Sequence, residues 1–221
     1  MLHWVVEGAR KSRLLDDVWV ATDDARIADS LAPLAVRVVM TDEGLASGTD
    51  RVWAAVAAES AEIIVNIQGD EPLISAAHID PLVAVLLENA ELEMATLGTR
   101  IDAEELSSSH VVKVIVDKYA RALYFSRFPI PYSRLGIAEL PVPGLFKHVG
   151  LYAYRREFLE RFCQSGAVAL ELAEGLEQLR ALHLGAKIQV AHTDQVCCGV
   201  DTPEDVEKIE RLLKVGKNHG Q

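Results

Sequence analysis

The chain is poor in the residues that build cross-links. It has three cysteines, Cys163, Cys197 and Cys198, an odd number without zinc-ligand spacing, which argues against a disulfide framework or a structural metal and leaves packing in a reducing compartment. Long apolar runs are missing as well. No stretch approaches the roughly 18 uninterrupted apolar residues of a membrane span. The N-terminus lacks the basic region and apolar block of a secretory signal. A soluble, cytoplasmic protein with no membrane insertion is therefore expected. Basic charge is also scarce: 22 Lys and Arg stand against 33 Asp and Glu, for a net charge of −11. With no Lys/Arg cluster to neutralise phosphates, nucleic acid is not an expected partner. An anionic small molecule stays compatible, provided that local cations or a metal overcome the general field. Internal repeats and low-complexity tracts are absent.

What the chain does contain is a core. Half of its 221 residues are hydrophobic, enough for one substantial domain over 1–221. Apolar runs at 18–22, 36–41, 62–67 and 93–99 read as strands, and periodic segments at 49–59 and 76–89 read as helices. That alternation predicts βαβ units around a largely parallel mixed sheet with flanking helices. Farther on, 111–117 and 120–126 form an expected hairpin, 128–143 a Pro-bearing loop and 148–154 a strand. Helices at 156–163 and 171–184, a strand at 187–193 and a final helix from Pro203 to about Val215 complete the reading. Residues 1–11 look like a helix already under way, where a βαβ protein normally enters its first helix from a strand and a phosphate-facing loop.

The run Val65-Asn66-Ile67-Gln68-Gly69-Asp70-Glu71-Pro72 carries the clearest chemistry. A β-branched strand ends at a glycine, and two carboxylates follow at the sheet edge where open α/β folds bind ligands. Such hard oxygens suit Mg²⁺ and a phosphate-bearing substrate; the plain alternative is a turn with solvated acids. Gly199-Val200-Asp201-Thr202-Pro203-Glu204-Asp205 repeats the theme. Thr202 fits an N-cap, Pro203 the first helical position and Asp205 a capping acid, so helix-start chemistry accounts for those residues. It does not account for Asp201, which precedes the cap and can turn towards the same edge as Asp70. Two acids on one Mg²⁺, with water and phosphate oxygens filling the octahedron, make an expected ion clamp.

Several segments in order now resemble a known family. They are Ala21-Thr22-Asp23-Asp24, Ser47-Gly48-Thr49-Asp50-Arg51, Asn66 to Pro72, Val111-Val112-Lys113-Val114, Tyr124-Phe125-Ser126-Arg127, His148 to Arg155, Leu176-Glu177-Gln178-Leu179-Arg180 and Gly199 to Asp205. Together they resemble the 3-deoxy-manno-octulosonate cytidylyltransferases, or CMP-Kdo synthetases, of bacterial lipopolysaccharide biosynthesis. The resemblance implies a Rossmann-like nucleotide-diphospho-sugar transferase fold with a hairpin extension, Mg²⁺ as cofactor, CTP and the acidic sugar Kdo as partners, and a homodimer. It also implies a reaction in which the anomeric hydroxyl of Kdo attacks the α-phosphorus of CTP, giving CMP-Kdo and pyrophosphate.

Carried over position by position, Asp70 and Asp201 become the metal ligands and catalytic carboxylates. Ser47, Gly48, Thr49, Arg51 and Gln68 face the nucleotide. Arg127, His148, Tyr152, Glu177 and Gln178 face the sugar, Arg127 in two-pronged contact with its carboxylate; His148 and Tyr152 are even-numbered positions on one strand face. Outside this context the same His reads as a satisfied structural residue, and Glu177 and Gln178 as solvated helix surface. The family pattern begins with a strand and an Arg-x-x-Ser-x-Arg-Leu-Pro-Gly-Lys-Pro loop that would end just before Met1. His110 replaces a usual Asn, and Ala169 a usual Pro. An N-terminally incomplete nucleotidyltransferase is the leading expectation; an impaired nucleotide- or sugar-binding pseudoenzyme or dimer partner is the alternative, and a sialic acid or 8-amino-Kdo the alternative sugar.

Overall fold

The computed structural model describes residues 1–134, 142–197, 199, 200, 205–207, 209 and 211. Two compact units share them, and the chain passes between the units more than once. The first comprises residues 1–58 and 67–80 together with those from Gln195 onward. Its helix α1 (Leu2–Ala9) is followed by strand β1 (Trp19–Thr22), helix α2 (Ala25–Leu31), a 3-10 turn (Ala32–Leu34), strand β2 (Arg37–Met40) and helix α3 (Gly48–Val56). β1 and β2 pair in parallel as a two-stranded sheet. Val6, Val20 and Leu31 form the core of this sheet and its helices, with Leu2, Leu34, Val36 and Val38 packed around them.

Helix starts here follow from short polar side chains. The Asp24 carboxylate accepts the Arg26 amide at 2.8 Å to start α2, and the Ser47 hydroxyl accepts the Asp50 amide at 3.1 Å to start α3. Each satisfies an amide that the helix itself leaves without a carbonyl.

The second unit holds residues 59–66 and 81–194. Strand β3 (Ile63–Asn66), the C-terminal part of helix α4 (Ala76–Glu88), strand β4 (Met94–Thr99), helix α5 (Ala103–Ser107), strands β5 (Lys113–Val116), β6 (Ala122–Ser126) and β7 (Leu145–Arg155), helices α6 (Arg156–Gln164), α7 (Ala169–Glu174) and α8 (Gln178–His183), and strand β8 (Ile188–His192) follow in order. The strands make a six-stranded sheet organised on β7. Along one edge β7 pairs with β4; along the other, its start pairs with β5 and its end with β3, all antiparallel. β8 lies parallel to β4, and β6 returns antiparallel to β5. β3, β4, β5 and β8 thus share one direction in a mixed sheet that includes the expected hairpin, although of its neighbouring pairs only β4 and β8 run parallel.

β4 and β7 slip register between Thr96 and Leu97, where β7 carries the extra residues Gly150 and Leu151. Such a bulge re-aims neighbouring side chains. Among the described residues β1 has only β2 as a neighbour and β3 only β7, so each keeps one edge unpaired.

Three readings needed adjustment. The helix expected at 171–184 is two helices, because Gly175 takes a left-handed conformation (φ 62°) and ends α7, a shape that costs glycine little. α2 and α5 were not expected: both are short, and α5 rests on a capping box between Asp102 and Glu105. Of the expected final helix, residues 205–207, 209 and 211 are described and all are helical; its other residues and part of the loop at 128–143 lie outside the described residues.

Candidate active site

Within the first unit the expected nucleotide and metal residues gather around the turn after β3. Gly48, the first residue of α3, sits so close to the Gln68 amide that an added Cβ would stand 3.3 Å from its Oε1 and 3.4 Å from its Nε2. Ser47 spends its hydroxyl on the helix cap and also donates to the Asp50 carboxylate at 2.9 Å. Thr49 is buried. Arg51 reaches back to β1, donating from Nη2 to the Asp23 carboxylate at 2.7 Å and from Nη1 to the Thr41 hydroxyl. Asp23 lies in a motif noted in the sequence but given no role there; the structure makes it the anchor of Arg51. Ser47 and Arg51 therefore rigidify the loop by bonds within the protein, while Gln68 remains on the exposed side of the turn.

Asp70 is half-buried, and its backbone carbonyl accepts the Val200 amide at 2.9 Å. A Cβ on Gly199 would stand 3.5 Å from the Glu71 Oε1 and 3.9 Å from the Asp70 carbonyl oxygen. The Gly199-Val200 segment is thereby pinned against Asp70-Glu71. Asp201 itself lies outside the described residues. Among those described, the Asp70 carboxylate has neither a hydrogen-bond donor nor an ion-pair partner, and no group of three or more His, Cys, Asp or Glu side chains is arranged to hold a metal. A half-exposed hard carboxylate at this turn is compatible with Mg²⁺, which takes one or two carboxylates plus water and substrate phosphates.

The residues expected to face the sugar fall in the second unit. The bulge in β7 places His148 and Tyr152 side by side, ring centroids 5.5 Å apart, with Phe125 edge-on to the imidazole at 5.0 Å. Thr96 holds the imidazole: its Oγ1 lies 2.9 Å from His148 Nε2, 3.1 Å from the Val149 carbonyl oxygen and 2.9 Å from that of Leu151. The single hydroxyl proton must go to a carbonyl, which cannot donate, so Nε2 is the donor to Oγ1 and Nδ1 is left as an acceptor. Burial holds the His148 pKa down to about 3. The ring is therefore neutral at pH 7 and serves as a directional hydrogen-bonding group, not as a charge.

Tyr152 Oη donates to Gln178 Oε1 at 3.1 Å, and Gln178 Nε2 is buried without a partner among the described residues. Burial, assisted by the Glu177 charge, pushes the phenol of Tyr152 far up. Gln178 is only 3% exposed because it opens α8 on its inner side, in contrast to the solvated-surface reading. An orphaned buried donor costs free energy unless something accepts from it. The Glu177 carboxylate lies 4.0 Å from Arg180 Nη2.

Arg127 is held differently. Its Nε donates to the Glu174 carbonyl at 2.9 Å and its Nη1 to the Ser109 carbonyl at 3.3 Å. It lines an open cleft of about 490 Å³ with Ser107, Ser109, Phe128 and Glu174. The structure thus joins His148, Tyr152 and Gln178 directly, whereas Arg127 connects to them through Glu174 and the turn at Gly175.

A family model described as cytidylyltransferase matches residues 1–188. The chain belongs to this family. It is 49% identical to a 3-deoxy-manno-octulosonate cytidylyltransferase of Bdellovibrio bacteriovorus over 96% of this chain and 87% of that protein. It is 46% identical to the enzyme of that name from Geobacter sulfurreducens, over 97% and 89%. A solved structure of CMP:2-keto-3-deoxy-manno-octonic acid synthetase complexed with CTP superposes with a TM-score of 0.90 at 36% identity, over 97% of this chain and 88% of that one. The cytidylyltransferase match covers residues of both units, including every site residue above up to Gln178. Among the described residues no helix is long and apolar enough to cross a membrane.

Proposed function

We propose that the chain is a 3-deoxy-manno-octulosonate cytidylyltransferase that joins CTP to the acidic sugar Kdo and releases pyrophosphate. One observation carries the reading: near-full-length identity of 49% to a relative of that name, extending through the nucleotide residues of the first unit and the sugar residues of the second. The impaired-binder alternative is not favoured by such similarity. In the proposed reaction the anomeric hydroxyl oxygen bonds to the α-phosphorus as the bond to the β-phosphate oxygen breaks. The hydroxyl proton leaves to solvent. No protein nucleophile is required.

The task for the side chains is to position two anionic substrates against their mutual repulsion. Gln68 and the turn held by Ser47 and Arg51 orient the nucleotide. Arg127 meets the sugar carboxylate, and His148 Nδ1 and Gln178 Nε2 offer an acceptor and a donor to hydroxyls. Asp70, with Asp201, would hold Mg²⁺, which when bound supplies charge neutralisation at the phosphates. The enzyme is expected to act as a soluble homodimer in the cytoplasm.

The test is pyrophosphate release by the protein with CTP, Mg²⁺ and a panel of sugar acids. Mg²⁺-dependent release with Kdo, at a higher kcat/KM than with a sialic acid or 8-amino-Kdo, is expected. No release with Kdo would overturn the reading. Asp70→Asn and Asp201→Asn should each abolish turnover with the fold intact, and a near-normal rate in either would remove that residue from the metal site.

A further inference from the structure

Lys113 opens β5 with no exposed surface, in the middle of the apolar run Val111-Val112-Lys113-Val114. Its ammonium donates to three backbone carbonyls: Ser108 at 2.7 Å, Val111 at 2.8 Å and Arg127 at 2.6 Å. All three donors are spent, so Lys113 has none left for a ligand. A hydrocarbon of the same length would fill the space without the cost of desolvating a charge. Burial pulls the Lys113 pKa down, and the nearby Glu174 charge opposes that shift.

Glu174 is the counterpart. One carboxylate oxygen accepts the Ser126 hydroxyl at 2.7 Å and the other accepts the Arg127 amide at 2.9 Å. The backbone of Arg127 is thus gripped on both sides, its N–H by Glu174 and its carbonyl by Lys113. Its guanidinium is aligned by the Glu174 and Ser109 carbonyls.

We propose that Lys113 and Glu174 are positioning residues for Arg127, fixing its backbone from both sides and with it the guanidinium that receives the carboxylate of the sugar acid. This rests on the reading of Arg127 as the partner of that carboxylate. Neither residue touches substrate. Both act through Arg127, and through Glu174 the turn at Gly175 ties the cleft to Gln178.

The test compares Lys113→Met, Glu174→Ala, Glu174→Gln and Arg127→Ala in the full-length enzyme by steady-state kinetics, with circular dichroism as a check on folding. Lys113→Met should raise KM for the sugar acid about tenfold or more, as expected for loss of a charge-assisted contact, with KM for CTP within about twofold. Glu174→Ala should do the same, and Glu174→Gln, which keeps the oxygen facing the Arg127 amide, should recover part of the loss. In an Arg127→Ala background Lys113→Met should have no further effect on the sugar KM, the non-additivity expected of a residue acting through another. Additive effects, or an unchanged sugar KM in Lys113→Met, would overturn the inference while a raised KM in Arg127→Ala leaves the Arg127 reading standing. An unchanged KM in Arg127→Ala would instead overturn that reading. Should Lys113→Met fail to fold, the Glu174 pair and its cycle with Arg127→Ala decide the question.

Discussion

The phenol of Tyr152 and the amide of Gln178 form a buried pair in which only one end of the amide is satisfied among the described residues: Oε1 accepts at 3.1 Å, while Nε2 has no acceptor. An acceptor on a bound ligand would complete it. Gln178→Leu should therefore change stability little, since it removes one orphaned group and creates another on Tyr152, each worth about 1–3 kcal/mol. It should raise KM for the sugar acid severalfold. The check is thermal denaturation with and without saturating sugar acid: the ligand-induced rise in Tm should shrink in the variant. An undiminished rise would assign Nε2 a purely internal role.

His148 predicts a dependence of stability on acid. Its pKa is about 3 in the fold and about 6.5 in an unfolded chain. Between these values the unfolded chain binds a proton that the native ring refuses, so stability falls as pH drops below about 6.5, by up to about 1.4 kcal/mol per pH unit, and is flat above it. Burial also lowers the His78 pKa, which adds a second contribution of the same sign. His148→Gln should remove its own share. Urea denaturation between pH 5 and 6.5, above the ordinary carboxylate range, should show a shallower slope in the variant; an identical slope would mean the native ring titrates normally.

Two glycines of the first unit should respond oppositely to alanine. At Gly48 the obstructing atoms belong to the flexible Gln68 amide at 3.3–3.4 Å, which can move aside, and alanine suits a helix better by up to about 1 kcal/mol. Gly48→Ala should hold or raise Tm while raising KM for CTP severalfold. At Gly8 a Cβ would lie 2.1 Å from the Ile74 backbone carbonyl oxygen, which cannot give way without moving the chain. Gly8→Ala should cost about 1–3 kcal/mol as overpacking, read as a lower urea midpoint. Equal behaviour of the two variants would contradict the distinction.

Arg180 and Glu171 form a buried, two-pronged ion pair, with the guanidinium 4.4 Å from the Phe162 ring centroid. Burial by itself would raise the Glu171 pKa, but the Arg180 bonds and the Val168 amide outweigh it and hold the acid low. Arg180→Met strands the carboxylate and should cost about 3–5 kcal/mol, whereas Arg180→Met with Glu171→Leu should recover much of it. Denaturant midpoints of the single and double variants check this.

Much of this was legible beforehand because β-branched runs and their spacing record burial. The expected strands match β1 to β8 to within a few residues, and the parity of His148 and Tyr152 foretold their adjacency even though a bulge intervenes. Gly175 was visible too, but the surrounding helical period masked it. What composition and spacing could not convey were bonds from side chain to backbone. Lys113 and Glu174 act mainly on carbonyls and amides, which carry no residue letter; the sole trace was a lysine set among valines. The burial of Gln178 was not legible for a related reason: which side of α8 faces inward depends on the break before it.

The left-handed residue that ends α7 also limits how this region can drift in length. One extra residue placed before Glu174 would swing its carboxylate through about 100° around the helix axis, away from the Ser126 hydroxyl and the Arg127 amide. Insertions and deletions are therefore tolerable only beyond the short helix, while inside it even a single added residue uncouples the arginine from its support.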